Sequence, residues 1–227
     1  MTWTYANFDG FHPSRSSNIL LQPTEWIIQK VKEDRSSFHQ FQEFFSLHVW
    51  KGLTEHYNKE HAWVLLLSPT PIARVTENKS LFMSLVPGED LSRLSDIEMK
   101  EEDFFFEIGR KVWYLLEMKK IEWLQHGDFQ PRHLIDVRGN TLGIIDVEGS
   151  KYENAQTTWG TVEENKKFIK KILLLPGFSK KEWVFLDGID QWKRIIKSPV
   201  SVIQEVIWSV YNELGKWSSK FRTQKKP

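Results

Sequence analysis

A chain of 227 residues with 40% hydrophobic and 27% charged content and a formal net charge of +1 suits one large domain or two small halves, with no bulk charge to draw it to nucleic acid or membrane. It contains no cysteine, which excludes a disulfide framework, a thiol nucleophile and thiolate metal ligation. No apolar run nears the roughly 18 residues of a membrane span, and Met1 to Asp9 lack the basic and apolar segments of a signal peptide; a soluble cytoplasmic protein is expected.

The first elements are apolar runs, Asn18-Ile19-Leu20-Leu21 and Trp26 to Val31, around the turn signal Gln22-Pro23-Thr24-Glu25. Alternation puts Ile28 and Lys30 on one strand face, and Lys32, on the same face, is the rival candidate. A lysine buried on that face would need an anionic partner. Residues 36–57 carry Phe38, Phe41, Phe45 and Val49 at helical spacing, and Glu43 lies within that helix. Trp63 to Leu67 has the composition of a buried strand, broken by Pro69-Thr70-Pro71. Ile72 to Val75 and Leu81 to Val86 follow, split by a Glu77-Asn78-Lys79 turn. Residues 101–124 predict a long helix whose apolar stripe is Phe105, Ile108, Val112, Leu115 and Leu116.

Residues 126–148 are the most informative stretch. His126-Gly127-Asp128 opens it, and Ile144-Ile145-Asp146-Val147-Glu148 closes it. Leu134 to Val137 and Leu142 to Ile145 read as strands joined by the turn Arg138-Gly139-Asn140-Thr141. A tight hairpin of this kind brings Asp128 and Asp146 together. After Glu148 the periodicity gives a helix over 161–175, ended by Pro176-Gly177. Further helices are expected over 180–197 and 200–217, then a basic tail. The eleven tryptophans are expected to serve packing, mostly in the core.

Phosphoryl transfer needs a carboxylate pair of this kind. One orients the acceptor's proton and the other holds the metal that neutralises the phosphates. The stretch 126–148 resembles the core of the protein-kinase-like superfamily. Its His-Gly-Asp triplet, and the glutamate two residues after the second aspartate, resemble the aminoglycoside and choline phosphotransferase branch more than the protein kinases. The resemblance implies an α+β, two-lobed fold. A small antiparallel sheet with one helix would cover residues 1–86, and a mostly helical lobe with the hairpin would cover 87–227.

The resemblance also implies roles. Asp128 would be the base for an acceptor hydroxyl, and Asp146 would hold Mg²⁺ on ATP. Lys30 would contact phosphates, steadied by Glu43. Ser16, Ser17 and Asn18 would stand where relatives have a phosphate-cradling loop, and backbone groups of Ser84, Leu85 and Val86 would meet the adenine edge. His126 would pack beneath the loop.

Two departures bear on activity. There is no glycine-rich loop, and His133 stands where the family places a metal-binding asparagine. Imidazole suits transition metals better than Mg²⁺, so His133 as a ligand implies weaker metal binding or a preference for Mn²⁺. Arg132 pairs with an anionic substrate or with a surface carboxylate. The leading expectation is an ATP-dependent phosphotransferase acting on a hydroxyl of a small molecule. The alternatives are a kinase-like protein that binds nucleotide or a protein partner without catalysis, and a minimal protein kinase. Against the last, no Ala-Pro-Glu-like anchor follows Asp146. Acceptor candidates are Trp159, Trp183, Trp192 and Glu153.

Overall fold

The structure is a computed structural model. It describes residues 4–5, 18–22, 26–31, 36–60, 63–152, 159–193, 202 and 205–214. Strands β1 (Thr4–Tyr5), β2 (Asn18–Gln22) and β3 (Ile27–Val31) are followed by helix α1 (Ser37–Glu60). Strands β4 (Leu65–Leu67), β5 (Pro71–Val75), β6 (Ser80–Ser84) and β7 (Glu89–Asp90) lead to helix α2 (Glu102–Ile121). Then come β8 (Leu124–Gln125), β9 (Leu134–Val137), β10 (Thr141–Ile144) and β11 (Lys151–Tyr152). Helices α3 (Trp159–Leu173), α4 (Pro176–Lys180) and α5 (Glu182–Lys193) follow, and residues 205–214 are also helical.

The fold is mixed α+β. One sheet runs β1-β2-β3-β6-β5, antiparallel throughout. The second runs β4-β10-β9-β7. In it the β9–β10 hairpin pairs Val137 with Thr141 and Leu134 with Ile144. Its outer neighbour β4 pairs with β10 in parallel, Leu65 opposite Thr141. The apolar run at 63–67 thus belongs to the hairpin's sheet, not to the sheet that holds Lys30. No helix among the described residues is long and apolar enough to cross a membrane.

Helix α1 bears out part of its expected stripe: Val49 is fully buried and Phe45 packs on the core, while Phe38 is exposed. Its inward face also holds Gln40, Glu43, Leu47, Trp50, Leu53 and Tyr57. The reason is polar: Gln40 donates to the Ser80 carbonyl at 2.7 Å and Glu43 meets Lys30, so the helix docks on the first sheet through hydrogen bonds. Hydrogen bonds from Gln40 Nε2 and the Glu43–Lys30 ion pair therefore help to fix the helix's orientation. Helix α2 follows its predicted stripe, with Phe105, Ile108, Val112 and Leu115 buried. It packs on α5 so closely that a Cβ at Gly109 would lie 2.2 Å from the Phe185 carbonyl oxygen.

Helix α3 ends at Leu173, ahead of Pro176 as expected, and Pro176 then opens α4 at its first turn, where a missing N–H costs nothing. Two other expectations are corrected. Trp26 is not a strand residue; it sits in the turn before β3 with φ +54°. Trp50 and Trp113 are core residues, but Trp26, Trp63, Trp183 and Trp208 are exposed.

Candidate active site

The site is built around the Lys30 ammonium, which β3 carries to the interface with α1. Lys30 is 8% exposed. Its Nζ donates to Glu43 Oε1 at 2.8 Å, Asp146 Oδ1 at 3.2 Å and Glu148 Oε2 at 3.1 Å. Burial works to lower its pKa, but the attraction of Glu43 and Asp146 outweighs that and the net shift is upward. Lys30 is therefore a fixed cation, as its strand environment requires.

Asp146 and Glu148 reach the same ammonium because the chain turns sharply after β10. Asp146 sits at φ +59°, in the left-handed region, and Val147–Gly149 form a single 3₁₀ turn. Aspartate tolerates that region better than most residues, and such backbone outliers gather at functional sites. The turn is anchored to α1: Trp50 Nε1–H donates to Ser150 Oγ at 2.7 Å, and Ser150 Oγ–H donates to the Val147 carbonyl at 2.7 Å. One helix therefore positions both Glu43 and the turn that presents Asp146.

The loop from His126 to His133 forms the other half. His126 is fully buried, and its Nε2–H donates to the Ile145 carbonyl at 2.9 Å, tying the first motif to the residue before Asp146. Its ring stacks on Phe129 and on His133. Burial pushes its pKa down to about 4, so it is neutral near pH 7. Gly127 adopts φ +91°, and a Cβ there would lie 2.1 Å from the Gly149 carbonyl oxygen. Only glycine lets the two loops approach so closely.

Beneath the loop lies a brace that the sequence did not announce. Glu164 of α3 accepts the backbone N–H of Gly127 at 2.8 Å and of His126 at 2.9 Å. It also takes the Lys119 ammonium at 2.7 Å. Lys119 is completely buried, and its Nζ lies 3.6 Å from the centroid of the Phe129 ring. Burial lowers its pKa to about 8 against the opposing pull of Glu164. A lysine inside a helix and a glutamate 45 residues later carry no local signal. Glu148 did have one, its place two residues after Asp146.

Asp128 keeps a half-exposed carboxylate, which accepts Gln130 Nε2–H at 2.8 Å and Arg132 Nη2–H at 3.3 Å. Partial burial pushes its pKa up, but the Gln130 hydrogen bond and the flanking His133 and Arg132 outweigh it and hold the carboxyl below its ordinary value. It opens on a cleft of about 350 Å³ walled by Phe129 and, from α3, by Glu163, Glu164, Lys167 and Lys171. Of the acceptor candidates, Trp183 is exposed on α5. The side chains of Trp159 and Trp192, and the whole of Glu153, lie outside the described residues.

His133 links the two halves in a manner that does not fit the metal-ligand role expected of it. Its Nδ1–H donates to the Asp128 carbonyl at 2.7 Å, and Nε2 lies 3.4 Å from Asp146 Oδ2. Arg132 Nε–H donates to that same Nε2 at 3.0 Å. A neutral imidazole has one lone pair, and here Arg132 takes it. Burial depresses the pKa of the ring despite Asp146, which keeps it neutral. Arg132 itself pairs with a carboxylate, that of Asp128. The two motifs thus converge within the width of one imidazole.

Among the described residues no group of three or more His, Cys, Asp or Glu side chains is placed to hold a metal ion. Asp146 and Glu148 do converge on one cation, the Lys30 ammonium. Two hard carboxylates with water and phosphate oxygens completing the shell are what Mg²⁺ takes, so that donor set fits the ion.

The remaining expected residues are less informative. Ser16, Ser17 and Lys32 lie outside the described residues, and of Asn18 only its backbone place at the start of β2 is described. Ser84 N–H donates to the Thr70 carbonyl at 2.9 Å and Leu85 N–H to the Trp26 carbonyl at 2.8 Å. Those two amides are committed to the sheet and cannot serve an adenine edge as donors. Val86 packs against Gly143 of β10.

No protein-family model matches the sequence, and no curated protein matches it. Among solved structures the chain is similar to a point mutant of an aminoglycoside 2'-phosphotransferase IIIa in complex with GDP. The identity is 11%, the TM-score 0.42, and the match covers 96% of this chain and 93% of that one. At this TM-score the likeness carries no argument about activity.

Proposed function

We propose that the protein is an ATP-dependent phosphotransferase that moves the terminal phosphoryl group to a hydroxyl of a small molecule. The observation that supports this reading is the convergence of Glu43, Asp146 and Glu148 on Lys30, with His133 standing between Asp146 and the Asp128 loop. Lys30 would contact phosphate oxygens, held in place by Glu43. Asp146 and Glu148 would hold Mg²⁺, which supplies neutralisation of the phosphate charge. Asp128 would accept a hydrogen bond from the acceptor hydroxyl and orient it. Its lowered pKa is compatible with this, because a loose phosphoryl-transfer transition state asks more for positioning than for a strong base.

A binding-only protein is the second reading, favoured by the hold of Arg132 and Gln130 on the Asp128 carboxylate. ATP calorimetry with Mg²⁺, with Mn²⁺ and with chelator, together with ATP turnover on a panel of alcohols, separates the two. Metal-dependent binding lost in Asp146→Asn, with turnover lost in Asp128→Asn, supports phosphotransfer. Binding without turnover on any acceptor supports the second reading. No nucleotide binding under any condition refutes both nucleotide readings.

A further inference from the structure

We propose that the cleft beside Asp128 takes an acceptor bearing an anionic group, a phosphate or a carboxylate, and that Lys167 of α3 is the cation that recognises it. Calling that molecule the acceptor rests on the phosphotransferase reading; the anion site itself rests on how charge is paired around the cleft. Each carboxylate in the wall already has a cation. Glu164 takes Lys119 at 2.7 Å, Glu163 takes Lys166 at 2.9 Å, and Asp128 takes Arg132 at 3.3 Å.

Two further lysines stand in the same wall outside these ion pairs. Lys171 Nζ donates at 3.2 Å to the neutral Phe129 carbonyl. Lys167 is exposed and shares the attraction of Glu163 with Lys166 and Lys170, so one carboxylate faces three lysines; among the described residues Lys167 has no carboxylate within salt-bridge distance. The two stand four residues apart on one helix, so they are neighbours on its surface and repel one another. An anion seated between them relieves that repulsion and gains a charge-assisted hydrogen bond from Lys167.

The cleft volume of about 350 Å³ lies at the small end of ligand sites. Asp128 and Lys167 line the same cleft, so one small molecule reaching both presents a hydroxyl to the first and its anion to the second. Phe129 supplies an apolar wall for the carbon skeleton. A polycationic acceptor would meet like charge there.

The test uses three ligands with one skeleton: glycerol, glycerate and glycerol 3-phosphate. Their binding to the full chain is measured by calorimetry without nucleotide, for wild type, Lys167→Gln and Lys170→Gln. Lys170 belongs to the same basic run but does not line the cleft, so its variant controls for net charge. The expected result is that one or both anions bind and glycerol does not. Affinity should fall at least about tenfold in Lys167→Gln and change little in Lys170→Gln. The stronger of the two anions identifies phosphate or carboxylate as the recognised group.

Equal binding of glycerol and the anions, no binding of any, or an anion affinity indifferent to Lys167→Gln overturns the proposal. ATP turnover with the same ligands is measured in parallel. Lys167-dependent anion binding without turnover upholds the anion site and defeats only the phosphotransferase reading.

Discussion

Replacing Glu164 by glutamine removes the charge that holds Lys119 and one of the two oxygens that hold the His126–Gly127 backbone. The cost follows from the Lys119 pKa of about 8. Without Glu164 the buried ammonium escapes by losing its proton at pH 7. That caps the electrostatic loss at about one further pKa unit, or about 1.4 kcal/mol. One backbone N–H left without its acceptor adds about 1–3 kcal/mol. Glu164→Gln should therefore destabilise the fold by about 2–4 kcal/mol.

Lys119→Met leaves the Glu164 carboxylate without its cation and Asn165 without its donor. Removing one partner of a buried pair is destabilising, so this variant should also lose stability, although Glu164 keeps both backbone donors. The pair also has a pH signature. Above about pH 8 the native state sheds a proton that the unfolded chain keeps to about 10.5, so the unfolded state binds more protons and stability rises over that interval. Urea unfolding followed by tryptophan fluorescence, at pH 7 and across pH 8 to 10.5, measures all three effects. The reasoning is refuted if either variant costs nothing, or if the alkaline rise survives in Lys119→Met.

His126 is depressed to about 4 by burial, so as pH falls below 6.5 the unfolded chain gains a proton that the folded protein refuses. Stability should be complete above pH 6.5 and fall by about 3 kcal/mol towards pH 4; His126→Gln should flatten that part of the profile, and an unchanged slope would count against the assignment. Gly127→Ala combines φ +91° with a contact 2.1 Å from the Gly149 carbonyl oxygen, and should cost about 2–5 kcal/mol in denaturant titrations, with loss of nucleotide binding as the Asp146–Glu148 turn is displaced. Because Arg132 takes the His133 lone pair, His133→Asn should leave the ratio of Mg²⁺ to Mn²⁺ affinity for the nucleotide complex unchanged within about twofold; a large shift would restore the ligand role. Asp128→Asn should lower turnover at least about 100-fold while sparing ATP affinity, as expected for a group acting on the acceptor.

How far the sequence reached depends on the range of the interactions involved. The β9–β10 hairpin was legible because turn residues and two apolar runs define it within 12 residues. Helix α2 was legible because one apolar stripe decides both its period and its buried face. Helix α1 was legible as a helix and in part of its buried face, with Val49 buried but Phe38 exposed, because Gln40 and Glu43 are drawn inward by Ser80 and Lys30, groups on other strands. Alternation marked Lys30 as needing a carboxylate, yet only packing decided that three would meet it.

The sequence alone therefore determined the local elements and the short spacing between Asp146 and Glu148. Tertiary structure alone decided that β4 joins the hairpin's sheet, that Lys119 and Glu164 brace the Asp128 loop, and that the lone pair of His133 goes to Arg132. It also placed Lys167 and Lys171 together in the wall of the Asp128 cleft. Periodicity records how each segment meets water. Which charge meets which depends on contacts between residues far apart in the chain, and no local pattern encodes them.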